Sequence, residues 1–158
     1  MKTILALGLC YAITISAQAQ QSAKDKLIVK LNSILKKFEG RNFSDGETLY
    51  IVKKQTFTTT GFHSAIDIKK MKDGTFTKLK AKCEAIPWAS FASFEAESSE
   101  ADKEIQEITA EFTNNLQIQA VLNGSDTYND EINTITLYTT KKDLKDISSL
   151  ISEMKKAR

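Results

Sequence analysis

The 158-residue chain has 41% hydrophobic and 27% charged residues, the composition of an ordinary globular protein rather than of a disordered or fibrous one. Its formal net charge of +2, from 22 basic and 20 acidic residues, provides no strong field of the kind that attracts nucleic acid. A chain of this length suits one domain, so we expect neither a nucleic-acid partner nor a second domain.

The first 19 residues have the three parts of a cleavable secretory signal peptide. Lys2 provides the positive region, an apolar run of about a dozen residues follows, and Ala17-Gln18-Ala19 forms the small-residue cleavage motif. The run is shorter than the roughly 20 apolar residues that cross a bilayer. We therefore predict cleavage near Ala19-Gln20, a secreted or periplasmic location, one domain over residues 20–158, and no transmembrane segment in the mature chain.

Cleavage would also remove Cys10 and leave Cys83 as the one cysteine of the mature chain. An intramolecular disulfide is then impossible. Small or apolar residues alternate with charges over residues 79–85, and Cys83 falls on the apolar side. This pattern predicts a buried, unreactive thiol rather than a nucleophile.

The first predicted element of the mature chain is an amphipathic helix over residues 22–39. Leu27, Leu31, Ile34 and Phe38 recur at helical spacing, and Gly40 follows them. Because lysines and a glutamate occupy the other side, we expect the apolar stripe to pack on the core.

From Glu47 the hydrophobic period changes to two, which predicts strands. Thr48–Phe57 forms the first, and Phe62–Met71 and Thr75–Ala85 flank Asp73-Gly74, a pair suited to a type I′ turn. A two-residue turn would place Ile68 opposite Leu79, Ser64 opposite Cys83, and His63 opposite Glu84.

The outer face of this hairpin would then carry four lysines, Lys69, Lys78, Lys80 and Lys82. These could attract phosphate, anionic glycan or lipid head groups, although lysines on a sheet also commonly prevent aggregation.

Trp88–Glu97 is predicted to be a strand rich in aromatic residues. Alternation puts Trp88 and Phe94 on one face and Phe91 on the other. One face should belong to the core, and the other could be an apolar contact surface or the lip of a pocket.

A second hairpin is predicted around Thr113-Asn114-Asn115, because asparagine tolerates the positive φ of tight turns. Pairing Phe112 with Leu116 would align apolar residues on both sides. A helix over residues 99–113, capped by Ser99, is the competing interpretation.

The segment Glu131–Thr139 is predicted to be a further strand. The chain closes with a helix that has Thr140 as its N-cap, Asp143 at its third position, and a buried stripe formed by Leu144, Ile147, Ile151 and Met154.

No catalytic or metal-binding motif emerges from the sequence. His63 is the only histidine and has no evident nucleophile near it. The oxygen-rich segment Gly124–Glu131 lacks the spacing of a calcium-binding loop, so we expect a solvated turn there. Asn42 and Asn123 begin possible N-glycosylation triplets in predicted loops. We predict no cofactor and no metal, and we expect a non-enzyme rather than an enzyme.

The predicted order is a helix, about seven mostly antiparallel strands forming a curled sheet or partly open barrel, and a closing helix, which is an α+β fold. This layout resembles the plan of pleckstrin-homology-type domains, in arrangement only and without implying a function.

The sequence leaves three candidate functions open. The first is a binding module for a small apolar or amphiphilic ligand, an anionic ligand, or an envelope partner, through a cavity or the lysine face. The second is an inhibitor or accessory protein that binds through Trp88–Phe94. The third is a small hydrolase that uses carboxylates.

Overall fold

The computed structural model describes residues 23–157, which form two helices and one antiparallel sheet of seven strands. The predicted α+β fold class is confirmed. The predicted signal peptide, residues 1–19, lies outside the described residues. Within the described part of the chain, no helix is both long and apolar enough to cross a membrane. The elements are α1 (residues 23–36), β1 (Asn42–Ser44), β2 (Thr48–Phe57), β3 (Phe62–Lys70), β4 (Phe76–Cys83), β5 (Phe91–Ser98), β6 (Ile105–Leu122), β7 (Asp126–Thr140) and α2 (Leu144–Lys156).

Both predicted helices are present. α1 ends at residue 36, three residues earlier than predicted, so Phe38 lies in the turn that follows it. Of the predicted stripe, Leu31 and Phe38 are buried and Leu27 and Ile34 are half-buried. The Asn32 amide of α1 fixes the end of β2, since it donates to the Phe57 carbonyl at 2.8 Å and accepts from the Phe57 N–H at 2.8 Å. α2 begins later than predicted, with Asp143 rather than Thr140 as its N-cap. The Thr140 hydroxyl donates to the Asp143 carboxylate at 2.9 Å, so it closes a turn that precedes the helix.

The β3–β4 hairpin has the predicted faces but not the predicted register. Ile66, rather than Ile68, lies opposite Leu79, and His63 lies opposite Lys82 rather than Glu84. The loop is longer than two residues, because the pairing ends where Lys69 meets Phe76. A shift of two residues keeps every side chain on its face, so the predicted separation of apolar and charged sides survives.

The second predicted hairpin is wrong, and so is the helical alternative. Residues 105–122 form the single long strand β6, and Thr113-Asn114-Asn115 is an irregularity within it. The turn lies instead at Asn123-Gly124, where φ is 51° and 84°, the left-handed pair that a tight hairpin requires. β7 consequently begins at Asp126, so most of the segment expected to be a solvated turn is strand.

Two shorter segments also differ from the sequence-based prediction. Asn42–Ser44, expected to be a loop, is strand β1 and pairs with β2. Trp88–Ser90, expected to begin a strand, is a turn of 3₁₀ helix, and β5 starts at Phe91. The Ser90 N–H donates to the Pro87 carbonyl at 2.7 Å and the Trp88 N–H to the Ile86 carbonyl at 2.9 Å, so these groups bond within the turn rather than to a neighbouring strand.

The long strand β6 organises the sheet because it has three neighbours. Residues 106–112 pair with β5, residues 118–122 pair with β4, and β7 follows nearly the whole length. A strand has only two edges, so β4 and β5 share one of them. The irregularity at residues 113–115 separates these two pairings and marks where β6 passes from one neighbour to the other.

Side chains close the curled sheet where strands do not pair directly. Gln55 of β2 is 2% exposed, and its amide donates to the Tyr138 carbonyl at 2.8 Å and accepts from the Tyr138 N–H at 2.6 Å. At the β1 edge the Ser99 hydroxyl accepts from the Ser44 N–H at 3.0 Å and donates to the Ser44 carbonyl at 3.2 Å. The sheet is therefore held as a half-barrel, with its concave side facing inward.

The core has two parts, which lie on the two faces of the β6–β7 ribbon. The helices pack against alternate residues such as Ile108, Phe112 and Leu137. A smaller cluster, which includes Phe38, Phe43, Val52, Ile66, Ile105 and Tyr138, fills one end of the half-barrel. The concave side that remains contains the candidate site.

Candidate ligand cavity

The concave side of the half-barrel contains a cavity of about 340 Å³ between strands β2–β4 and strands β6–β7. This volume lies near the lower end of the roughly 300–1,000 Å³ range of small-molecule sites. The cavity is open on one side, since several of its lining residues are only half-buried. Most of its wall is apolar and consists of Phe62, Ile66, Ile68, Leu79, Ile118 and Ile132.

Strand alternation produces this wall directly from the sequence. Every second residue of β3 from Phe62 to Ile68, and of β4 from Leu79 to Cys83, faces the concave side. On β7, Ile132, Thr134, Thr136 and Tyr138 follow the same rule. The alternating threonines of this strand leave space and hydroxyl groups where larger apolar residues would have filled the cavity.

One end of the cavity is polar. Glu107 and Tyr138 lie opposite each other on β6 and β7, and both line the cavity. Burial raises the pKa of Glu107, and the neighbouring Tyr138 hydroxyl lowers it. The negative charges of Glu97 and Asp45 raise this pKa further, so the net effect is a rise. Burial and the adjacent Glu107 carboxylate raise the pKa of Tyr138, so its hydroxyl stays a donor.

Tyr50 of β2 completes this end. Its ring stacks on Tyr138 with centroids 6.0 Å apart and an interplanar angle of 26°. Its hydroxyl donates to the Asp45 carboxylate at 3.3 Å, and burial, followed by the charge of Asp45, raises the pKa of Tyr50. Phe43 packs at 5.5 Å from the Tyr138 ring, so the tyrosines are supported from behind by core residues.

Glu107 and the two carboxylates that act on it, Glu97 and Asp45, form no ion pair within residues 23–157. The ion pairs within that range are Lys37–Asp143, Lys53–Asp67 and Lys82–Glu84. None of them includes Glu107, Asp45 or Glu97. The same residues include no group of histidine, cysteine and acidic side chains suited to holding a metal ion. The polar end is thus acidic, and no cationic side chain of the described residues forms an ion pair there.

Cys83 lines the cavity and is 2% exposed, so the predicted burial of this thiol is confirmed. Its sulfur lies 3.6 Å from the Ala85 carbonyl oxygen, to which the thiol donates. Burial raises the pKa of Cys83, which keeps the sulfur protonated and weakly nucleophilic.

The aromatic residues singled out from the sequence are part of the core. Trp88 and Phe91 are 6% and 7% exposed, and the Trp88 ring packs 5.4 Å from Phe57. A bulge after Phe91 brings its ring within 4.8 Å of the half-buried Phe94, so the expected assignment of these two rings to opposite faces is wrong. The indole N–H of Trp88 is buried and has no hydrogen-bond partner within residues 23–157.

The lysines singled out from the sequence share the convex face of the β3–β4 hairpin. Lys69, Lys78 and Lys80 are exposed, whereas Lys82 is half-buried, pairs with Glu84, and also lines the cavity. β3 and β4 each have a neighbour on both sides, so protection of a sheet edge does not explain these lysines. Met71 and Phe76, which are 56% and 46% exposed, lie at the tip of the same hairpin.

Sequence reasoning missed Glu107, Tyr50 and Tyr138. The available signal was the alternation within residues 132–138, which places Tyr138 in line with the two threonines. No family model, no curated protein and no solved structure matches the chain at a significant level. Fold and cavity together define a small α+β half-barrel with a ligand-sized hollow, and its function is inferred from its own residues.

Proposed function

We propose that this protein is an exported, non-enzymatic binding module that takes a small, mainly apolar ligand into the cavity of its half-barrel. The observation that carries the proposal is the cavity itself: about 340 Å³, walled mainly by apolar side chains, with Glu107 and two tyrosines at one end. At about 30 Å³ for each water in the liquid, this space suits roughly a dozen waters or one ligand with a comparable number of heavy atoms. Ligand sites typically combine an apolar wall with a few placed polar groups in this way.

The composition of the cavity favours binding over hydrolysis. Among the described residues that line it, Glu107 is the one carboxylate. Hydrolysis by carboxylates without histidine or metal generally uses an acid and a base that flank the same bond. A partner-binding role for Trp88–Phe94 has less support, since Trp88 and Phe91 are committed to the core.

A cavity-filling variant tests the proposal. Ala81 faces the cavity from β4, whereas Ala65 of β3 lies outside it, opposite Lys80. Ala81→Phe should remove a ligand that co-purifies with the parent protein from its own host, as weighed by native mass spectrometry, and Ala65→Phe should retain it. If the exported protein carries no adduct and binds no apolar probe such as 1-octanol, or if both variants bind equally, the cavity is not the site.

A second candidate function is attachment to an anionic surface through the convex lysine face. Lys69, Lys78 and Lys80 form no ion pair within residues 23–157, and Met71 and Phe76 present apolar groups beside them. Each lysine near an anionic bilayer contributes about 1 kcal/mol to binding. The combination of charge and exposed apolar tip matches a lipid surface better than a free phosphate.

Vesicle sedimentation tests this second function. Lys78→Gln with Lys80→Gln should weaken binding to phosphatidylglycerol vesicles about thirtyfold, from about 2 kcal/mol. The matched control neutralises the exposed Lys142 and Lys145, which lie outside the hairpin, and should change binding little. Equal binding to phosphatidylcholine vesicles, or equal loss in both double variants, would contradict attachment through this face.

A further inference from the structure

We propose that the ligand carries an ammonium group, which binds at the polar end of the cavity between Glu107 and the rings of Tyr50 and Tyr138. The inference rests on the proposed function, because it concerns the same cavity. It goes further by assigning the chemical class of the head group and the residues that select it.

The charges around Glu107 carry the first step. Glu97 lies directly opposite Glu107 on β5, and Asp45 acts on it from the turn that precedes β2, so the facing charges share its sign. On β7 the neighbouring Tyr138 hydroxyl favours the charged form of Glu107, and no ion pair within residues 23–157 supplies a cation. A partly buried carboxylate is costly unless charge or hydrogen bonds compensate it, and a bound ammonium would provide both.

The aromatic rings carry the second step. Tyr50 and Tyr138 both line the cavity, and their stacked rings lie 6.0 Å apart beside the carboxylate. Aromatic rings attract cations within about 6 Å of their centroids, most strongly where water is excluded. A carboxylate beside tyrosine rings therefore favours an ammonium over a neutral hydroxyl and disfavours a carboxylate head.

The rest of the cavity determines the orientation. Leu79, Ile118 and Ile132 provide an apolar wall for the body of the ligand. Lys82 is the only cationic residue among the described ones that line the cavity, and its ammonium is already paired with Glu84. The ligand class is thus an amphiphile with a short apolar body and a cationic head.

Calorimetric titration of the exported protein with octylammonium, 1-octanol and octanoate tests this assignment. The three probes share one chain and differ in the head group. A hydrogen bond to a charged group contributes about 1.5–3 kcal/mol, so octylammonium should bind at least about tenfold more tightly than octanol, and octanoate more weakly than octanol. Glu107→Gln should bring octylammonium to within about threefold of octanol while leaving octanol binding unchanged.

Two further measurements keep the outcome decisive. The preference for octylammonium should decline as the pH falls through the pKa of Glu107, because protonation removes the charge, and should be independent of pH in Glu107→Gln. Glu97→Gln, at an exposed position, should reduce the preference a few-fold even if the Glu107 variant fails to fold. The head-group assignment is overturned if the parent binds octylammonium and octanol equally, or if the preference for octylammonium survives in both variants. Either result would leave the proposed binding function of the cavity unaffected. Failure of all three probes to bind counts instead against the proposed function.

Discussion

Replacement of Gln55 by leucine should destabilise the protein strongly, because this one side chain joins β2 to β7 where the strands do not pair. Its amide satisfies both the N–H and the carbonyl of Tyr138, at 2.6 Å and 2.8 Å, and the side chain is 2% exposed. Leucine has a similar volume but neither hydrogen-bonding group. The Tyr138 backbone would then be buried with two unsatisfied polar groups.

The expected magnitude follows from those two groups. Leaving a buried donor or acceptor unsatisfied costs about 1–3 kcal/mol, so the loss of both partners in Gln55→Leu should lower the free energy of unfolding by about 2–6 kcal/mol. Urea unfolding followed by circular dichroism measures it, with a lower midpoint and an unchanged slope as the expected signature. The loss is large for a domain whose total stability is about 5–15 kcal/mol.

Gln119→Leu is the matched control. Gln119 is an exposed glutamine of β6 whose amide lies 3.4 Å from Asn129, so its replacement should change stability by no more than about 0.5 kcal/mol. If the free energy of unfolding of Gln55→Leu lies within about 0.5 kcal/mol of the parent's, as expected for the control, then Gln55 does not close the half-barrel. Its hydrogen bonds would then not be what holds Tyr138 in the cavity wall.

Two more predictions concern residues near the cavity. The pKa of Glu107 in the folded protein lies above its ordinary value of 4.5, so its stabilising contribution is complete below that pH and is lost as the pH rises through the raised value. Thermal unfolding across pH should therefore show Glu107→Gln gaining stability relative to the parent toward neutral pH; a constant difference would mean that Glu107 titrates normally. Gly61 is buried, and a Cβ there would collide with the Cys83 carbonyl, so Gly61→Ala should cost about 1–3 kcal/mol in urea unfolding. At the exposed Thr60, replacement by alanine should cost under about 0.5 kcal/mol. Equal stability of the two variants would show that the backbone at Cys83 can move away from residue 61 at little cost in free energy.

The elements that sequence reasoning located well are those whose pattern is local. Thr48–Phe57 is β2 to the residue, because its β-branched and aromatic content needs no partner to be recognised. The two faces of the β3–β4 hairpin are also as predicted, since a period of two fixes which side each residue faces. The exact register of the hairpin was predicted wrongly, because Asp73-Gly74 suits a two-residue turn and the actual loop is longer.

The errors arise where long-range pairing overrides a local signal. Thr113-Asn114-Asn115 looks like a turn, yet β7 pairs on both sides of it and β6 continues through. The actual turn, Asn123-Gly124, is the stronger hairpin signal but stood beside polar residues that also fit a solvated loop. Glu107 and Tyr138 meet only because of this pairing, so the polar end of the cavity could not be assembled from the sequence.

Methyl NMR tests the central claim, that the ligand occupies the concave cavity, most directly. Isoleucine and leucine methyl groups occur both in the cavity wall, at Ile66, Leu79, Ile118 and Ile132, and in the helix-packed core, at Leu31 and Ile147. Titration with octylammonium should shift the cavity methyl resonances in a saturable way and leave the helix-packed resonances nearly unchanged. Shifts centred on Leu31 and Ile147, or none at saturating probe, would place any binding elsewhere and contradict the account.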